Sequence, residues 1–261
     1  MQLTILEQAG QNYEGHLAHA VDLLGGGSTD PATWFNAAHA WRVLALCHLL
    51  QTADGAGFQD RLRRSAQARL AFLGAVRDGL EAPPRFVCAS KDVSFTAALA
   101  GGDLELARRI AELSRPSRAD GVEYEDDFLY IHVLQRLAVD PEAGEEHEAL
   151  LARWEEVLEG AASGPLDACR GLVVREDEAF AEGIESLVRW RQACLESYRD
   201  QVSFDPELFA TEGRVDVEGL AVLRLAEERG LSTRPEYPLL PSVARVPLAV
   251  EPLPDDAWLD V

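Results

Sequence analysis

Lysine is almost missing from this chain. Lys91 is the one lysine, and the other bases among 24 are arginines. Against them stand 45 acids, giving a formal net charge of -21 in 261 residues. A field of that sign repels phosphate backbones and anionic membrane surfaces and attracts basic proteins. Nucleic-acid binding is therefore disfavoured. The four cysteines, Cys47, Cys88, Cys169 and Cys194, show no CxxC spacing. Three lie inside apolar helical patterns, so they read as reduced core thiols, not as a disulfide frame or a zinc site. Nowhere do eighteen apolar residues follow one another, and the start MQLTILEQAGQNYEGH has no basic stretch leading into an apolar one. A soluble, cytoplasmic chain is expected.

Catalytic motifs are equally scarce. HExxH, GxxxxGK[ST] and GxSxG are absent, and none of the six histidines has a glutamate three residues before it, which removes the di-iron ExxH pattern. His16 and His19 share a helical face, and with His39 they would be the first suspects in a helical enzyme. Gly25, Gly26 and Gly27 lack the preceding strand that a nucleotide loop needs. The reading that results is a non-enzymatic protein without cofactor or metal.

What is present is helix. An apolar content of 47% suits an ordinary globular core. A first helix runs from about Leu3 to Leu24 and stops at the glycines. Asp30-Pro31 opens the next, an aspartate cap followed by proline at the first helical position. There Trp34, Ala37, Ala38, Trp41, Leu44, Ala45 and His48 share one face. A third covers Phe58 to Leu80, and Glu81 to Lys91, with Pro83-Pro84, reads as a linker in which Phe86, Val87 and Cys88 form an extended piece or none. The expected organisation is a helical region over 1–82, a helical-hairpin region over 91–230 of the same domain, and a Pro-rich C-terminal strap over 231–261. Six of the thirteen prolines fall in that last stretch. An extended course, held on the body by Tyr237, Leu239, Leu240, Val246, Leu248 and Trp258 and ordered to at least Leu248, is expected of it.

Asp103, Asp140, Asp177 and Asp216 head four similar segments at spacings of 37, 37 and 39 residues. Each is a candidate helix cap, and the spacing suits helical hairpins packed as an all-α bundle or a short repeat-like array. Glu123 to Val139 would be the first helix of one hairpin, with the second beginning at Asp140-Pro141. Its acids Glu123, Glu125, Asp126 and Asp127 either serve the partial positive charge of the helix start or belong to an acidic rim. Similar acids recur at Glu142, Glu145 and Glu146 and at Glu176, Asp177, Glu178 and Glu182. Candidate partner-binding residues are Glu123, Glu125, Asp126, Asp127, Tyr130, Glu176, Asp177, Glu178 and Glu182.

AALAGGDLELARRIAELS, EYEDDFLYIHVLQRL, REDEAFAEGIESLVRWR and VDVEGLAVLRLAEERGLSTRPEYPLLP resemble, in that order, the immunity protein 49 family. The likeness rests on the GD-x-ELA helix start, on Asp177 followed by Phe180, and on LA-x-x-RG-L with prolines behind it. It covers about Phe95 to Pro241, whereas the first ninety residues match only in being helical. It implies an all-helical neutraliser of a bacterial polymorphic toxin, with a basic toxin domain as partner. The alternative is a helical-repeat scaffold or adaptor that binds a protein partner without neutralising anything.

Overall fold

Helix α1 (Ile5–Gly25) begins at Thr4, whose hydroxyl accepts from the Glu7 amide while the Glu7 carboxylate accepts from the Thr4 amide, a closed capping box. Helix α2 (Pro31–Thr52) begins where expected, with the Asp30 carboxylate accepting from the Ala32 amide at 3.1 Å. Helix α3 (Gly55–Arg77) starts three residues earlier than its apolar pattern, capped by Asp54. This computed structural model describes residues 3–245 and 252–261. Within them the remaining helices are α4 (Pro84–Val87), α5 (Val93–Ala100), α6 (Leu104–Leu113), α7 (Glu125–Val139), α8 (Gly144–Leu158), α9 (Gly164–Val174), α10 (Asp177–Arg199), α11 (Pro206–Thr211) and α12 (Val217–Glu228). No strand occurs among the described residues, so the fold is an all-α bundle. No helix among them is long and apolar enough to cross a membrane.

The expected linker is partly helical. Pro84 supplies the fixed φ of a first turn, so Phe86 and Val87 close α4 instead of running extended. The linker leads into α5, which buries seven of its eight residues on all sides, Ser94 and Thr96 among them. It crosses α12, which buries eight of twelve. Around this pair lie α3, α6, α7, α9 and α10, and one continuous core joins α2 and α3 to α5 through α10 and to α12. All four cysteines are free thiols, three of them buried.

Beside α5 the core holds a charge pair. The Asp92 carboxylate, 0% exposed, accepts from Arg69 Nε at 3.2 Å, Ser114 Oγ at 2.7 Å and Gln135 Nε2 at 3.4 Å. Arg69 also donates to the Phe86 carbonyl at 2.6 Å. One carboxylate thus ties α3, the start of α5, the end of α6 and the middle of α7.

The four-unit repeat holds in position but not in direction. Helices α6 and α12 start directly after Asp103 and Asp216 and α10 starts at Asp177 itself, but α8 starts at Gly144, not at Asp140-Pro141. In the turn that precedes α8, Arg229 donates to the Pro141 carbonyl at 2.7 Å. Of the four aspartates only Asp103 caps its helix by a side-chain hydrogen bond. The end of α12 meets the start of α10, where Ser232 donates its amide and hydroxyl to Asp177 at 2.8 and 2.9 Å. The fourth unit is therefore reversed, because α11 is one short turn and cannot serve as the return helix of a full hairpin.

Past α12 the described residues turn more than they extend. Tyr237, Leu240 and Ala244 are buried, Gln59 donates to the Ala244 carbonyl at 3.0 Å, and Ser242–Arg245 forms a 3-10 turn. A second 3-10 turn, Ala257–Leu259, buries Trp258 against α2, whose Trp41 donates to the Trp258 carbonyl at 2.8 Å. Both turns follow a proline closely, at 241 and 254. The expected anchors Val246 and Leu248, and order through Leu248, lie outside the described residues.

Breaking a buried ion pair leaves an uncompensated charge, so Asp92→Ala should cost about 3–5 kcal/mol in urea denaturation, and Asp92→Asn, which keeps an acceptor oxygen, distinctly less. A loss below about 1 kcal/mol for the alanine variant would contradict this role. Burial lowers the pKa of His39, His132 and His147 below the ordinary histidine value. The unfolded chain then takes up protons near pH 6.5 that the folded chain refuses, so stability falls as pH drops through that value. Glu218, raised by burial and by Asp216, acts in the opposite sense on the acidic side. Melting temperature should decrease from about pH 7.5 to about pH 5.5, and His147→Gln should flatten that slope; a rise on acidification would refute the assignment.

Candidate partner-binding surface

The acids ahead of α7 do several different jobs. Glu123 lies before the helix and clamps two loops, accepting from the Ser90 amide at 2.9 Å and the Ala119 amide at 2.7 Å. Glu125, in the first turn, bridges Arg153 at 2.7 Å and Arg118 at 3.1 Å. The hydrogen bond from Arg153 holds its carboxyl below the usual range. Asp126 and Asp127 follow without an ionic partner among the described residues; partial desolvation, and then the charge of Asp126, raise the pKa of Asp127. Tyr130 is a correction. It is 8% exposed and packs its ring 5.8 Å from Trp154, so it is a core residue and offers no contact area. The five apolar neighbours of Tyr130 in sequence left its face undecided. Tyr124, 78% exposed, is the tyrosine on this surface.

Glu176, Asp177, Glu178 and Glu182 stand at the opposite end of the bundle from Glu123–Asp127. Consecutive antiparallel helices alternate their N-termini, so the starts of α8 and α10 share one end and the start of α7 faces the other. The contacts mark it directly. Arg175, just past α9, pairs with Glu142 ahead of α8 at 2.8 Å, and Arg229, just past α12, donates to the Leu172 and Pro141 carbonyls. The single rim pictured from sequence is thus two rims. Asp177 is occupied: the Ser232 amide and hydroxyl hold its carboxyl below the usual range.

At the α8/α10 end, Glu145, Glu176, Glu178, Glu182 and Glu228 are exposed and have no ion pair or hydrogen bond among the described residues. The arginines nearby are already engaged: Arg136 by Glu146 at 2.8 Å, Arg175 by Glu142, Arg234 by Glu185 at 2.8 Å, and Arg229 by backbone carbonyls. Uncompensated negative charge is the result. Glu228 was not among the sequence candidates, because only the reversed direction of α12 brings it here. Glu182 also borders a shallow cavity of about 560 Å³ along α9 and α10. That hairpin packs closely at three glycines, Gly164, Gly171 and Gly183. A Cβ on Gly171 would stand 2.6 Å from Phe180 Cα, and one on Gly183 2.5 Å from the Asp167 carbonyl oxygen. Val174 and Trp190, 48% and 39% exposed, flank the same face.

Of the histidine suspects, His16 and His39 flank the Tyr13 ring, each with its centroid 5.5 Å away, and the three form no metal-binding group. His16 and His19 are exposed, and His39 packs against the rings of Tyr13 and Phe35. No group of three residues able to hold a metal ion occurs among the described residues.

No curated protein and no solved structure matches the chain. The family model described as Immunity protein 49 matches residues 93–244, which run from the first residue of α5 to the buried Ala244 and include α7, α8, α10 and α12 with all their rim acids. The chain belongs to the immunity protein 49 family.

Proposed function

We propose that the protein binds and neutralises a cognate bacterial toxin, and that the end of the bundle carrying Glu145, Glu176, Glu178, Glu182 and Glu228 meets a basic surface of that toxin. Family membership over the helical body carries the reading. The charge distribution supports the choice of surface. Inhibition of this kind requires no catalytic group. It requires a rigid scaffold and a complementary face, and opposite charge accelerates encounter and favours cover of a cationic site. The net charge of -21 supplies the field, and the unpaired acids of the α8/α10 end focus it. Neutralisation takes place in the cytoplasm on this reading, with neither nucleic acid nor membrane as the partner. Asp126 and Asp127, at the far end, belong to a secondary face, while Glu123 and Glu125 serve loop closure and local ion pairing.

Co-expression with the product of the neighbouring gene should give growth that depends on this protein, and survival unaffected by its presence would defeat the proposal. Glu178→Lys with Glu182→Lys should leave melting within about 0.5 kcal/mol of the parent, since both are exposed and unpaired. Association with the purified toxin should slow by about tenfold at low ionic strength, and the difference should shrink with added salt as screening shortens to roughly 8 Å and below. Reversal at Asp126 and Asp127 should change the rate much less. Wild-type association by the Glu178/Glu182 pair across the whole salt series would remove this end from the interface.

A further inference from the structure

Helix α10 is longer than its packing. All its buried residues, Phe180 to Val188, lie in the first half, and none from Arg189 to Arg199 is buried. Yet Arg191, Cys194, Leu195 and Tyr198 repeat at the spacing of a packed helical face and are half-buried. Opposite them stand Leu208 and Phe209 of α11, and between the two helices is a cleft of about 310 Å³. That is the lower end of the size range of ligand pockets, roughly 300–1,000 Å³, and room for one ring with a short polar arm.

The charge around this cleft is mixed: Glu212, Asp216 and Glu218 lie within electrostatic reach of Arg191, and further arginines gather beside Phe209. Seven arginines lack an ion pair among the described residues, and three of the seven, Arg191, Arg199 and Arg214, stand here. Arg191 Nε is buried with no acceptor among the described residues. Arg199 and Arg214 lie against Phe209, with guanidinium carbons 4.5 and 5.6 Å from the ring centre. The wall acid Glu212 is already held by Arg42 at 3.0 Å, and the Tyr198 hydroxyl is occupied by the Ser203 carbonyl and the Asp205 amide. The Arg191 guanidinium lines the cleft without a hydrogen bond or ion pair among the described residues, and its terminal nitrogens can meet a carboxylate.

We propose that the cleft between α10 and α11 binds a small aromatic carboxylate, its ring between Leu195 and Leu208 and its carboxylate on Arg191. This site stands apart from the acidic end and does not depend on toxin binding. Titration calorimetry on the full chain with phenylacetate, and with its neutral counterpart phenylacetamide, tests it. The acid should bind at least about tenfold more tightly than the amide, because only the acid makes a charge-assisted pair. Arg191→Gln should remove that preference, and Leu195→Trp, which fills the cleft from a half-exposed position, should abolish binding of both compounds while the circular-dichroism melt stays cooperative. Should Arg191→Gln fail to fold, Leu195→Trp and the acid-to-amide ratio decide. Equal affinity for the two compounds, no heat from either at about 5 mM, or binding undiminished in Leu195→Trp would overturn the assignment.

Discussion

A carboxylate sealed from water cannot stand alone, and Asp92 sets the terms on which the middle of this bundle assembles. Its three donors come from α3, the end of α6 and α7, and its own backbone leads into α5. Apolar packing around α5 is less directional than the charge pair, although buried Ser94 adds a hydrogen bond to Ser65 of α3 at 3.3 Å. The charge pair is not permissive, because any register that separates Arg69 from Asp92 leaves both charges desolvated and unmatched. Once α6 ends at Ser114 and α7 presents Gln135 to the same carboxylate, the loop between them, closed by Glu123, has little freedom left.

From α7 onward the architecture follows from short connections. Antiparallel neighbours alternate their ends, and in this chain acids crowd into first turns, where the helix dipole favours them. Alternation then sorts those acids onto two ends instead of one. At the α7 start Arg118 and Arg153 neutralise Glu125; at the α8 and α10 starts the arginines are drawn to carbonyls and to other acids, leaving five glutamates facing water. Such an end repels its own neighbours and lowers stability slightly, a cost that an opposite charge on a partner removes.

The same length mismatch that reverses α12 also opens the cleft at the far half of α10. Its first half is pressed into α9 through Gly171 and Gly183, so the helix direction is set there, and the rest must project along that line whether or not α11 fills the space beneath. Phe209 of α11 lies under the guanidinium groups of Arg199 and Arg214.

Helix content, most helix starts and the acidic character were written in local sequence. Asp30-Pro31 and Asp103 specify their helices through bonds within a few residues, so pattern alone located them. The family likeness was legible for the same reason, since its motifs are helix starts and helix faces. What the sequence did not carry depended on partners distant along the chain. The turn after Asp140 received Arg229, 88 residues beyond the Pro141 carbonyl it bonds; Asp177 met Ser232 instead of capping its own helix; and Tyr130 went inward, where Trp154 of the next helix covers it. Which acids share an end was likewise decided only by tertiary structure. Charge is a property of a residue, but its neighbours in space depend on the direction in which each helix runs.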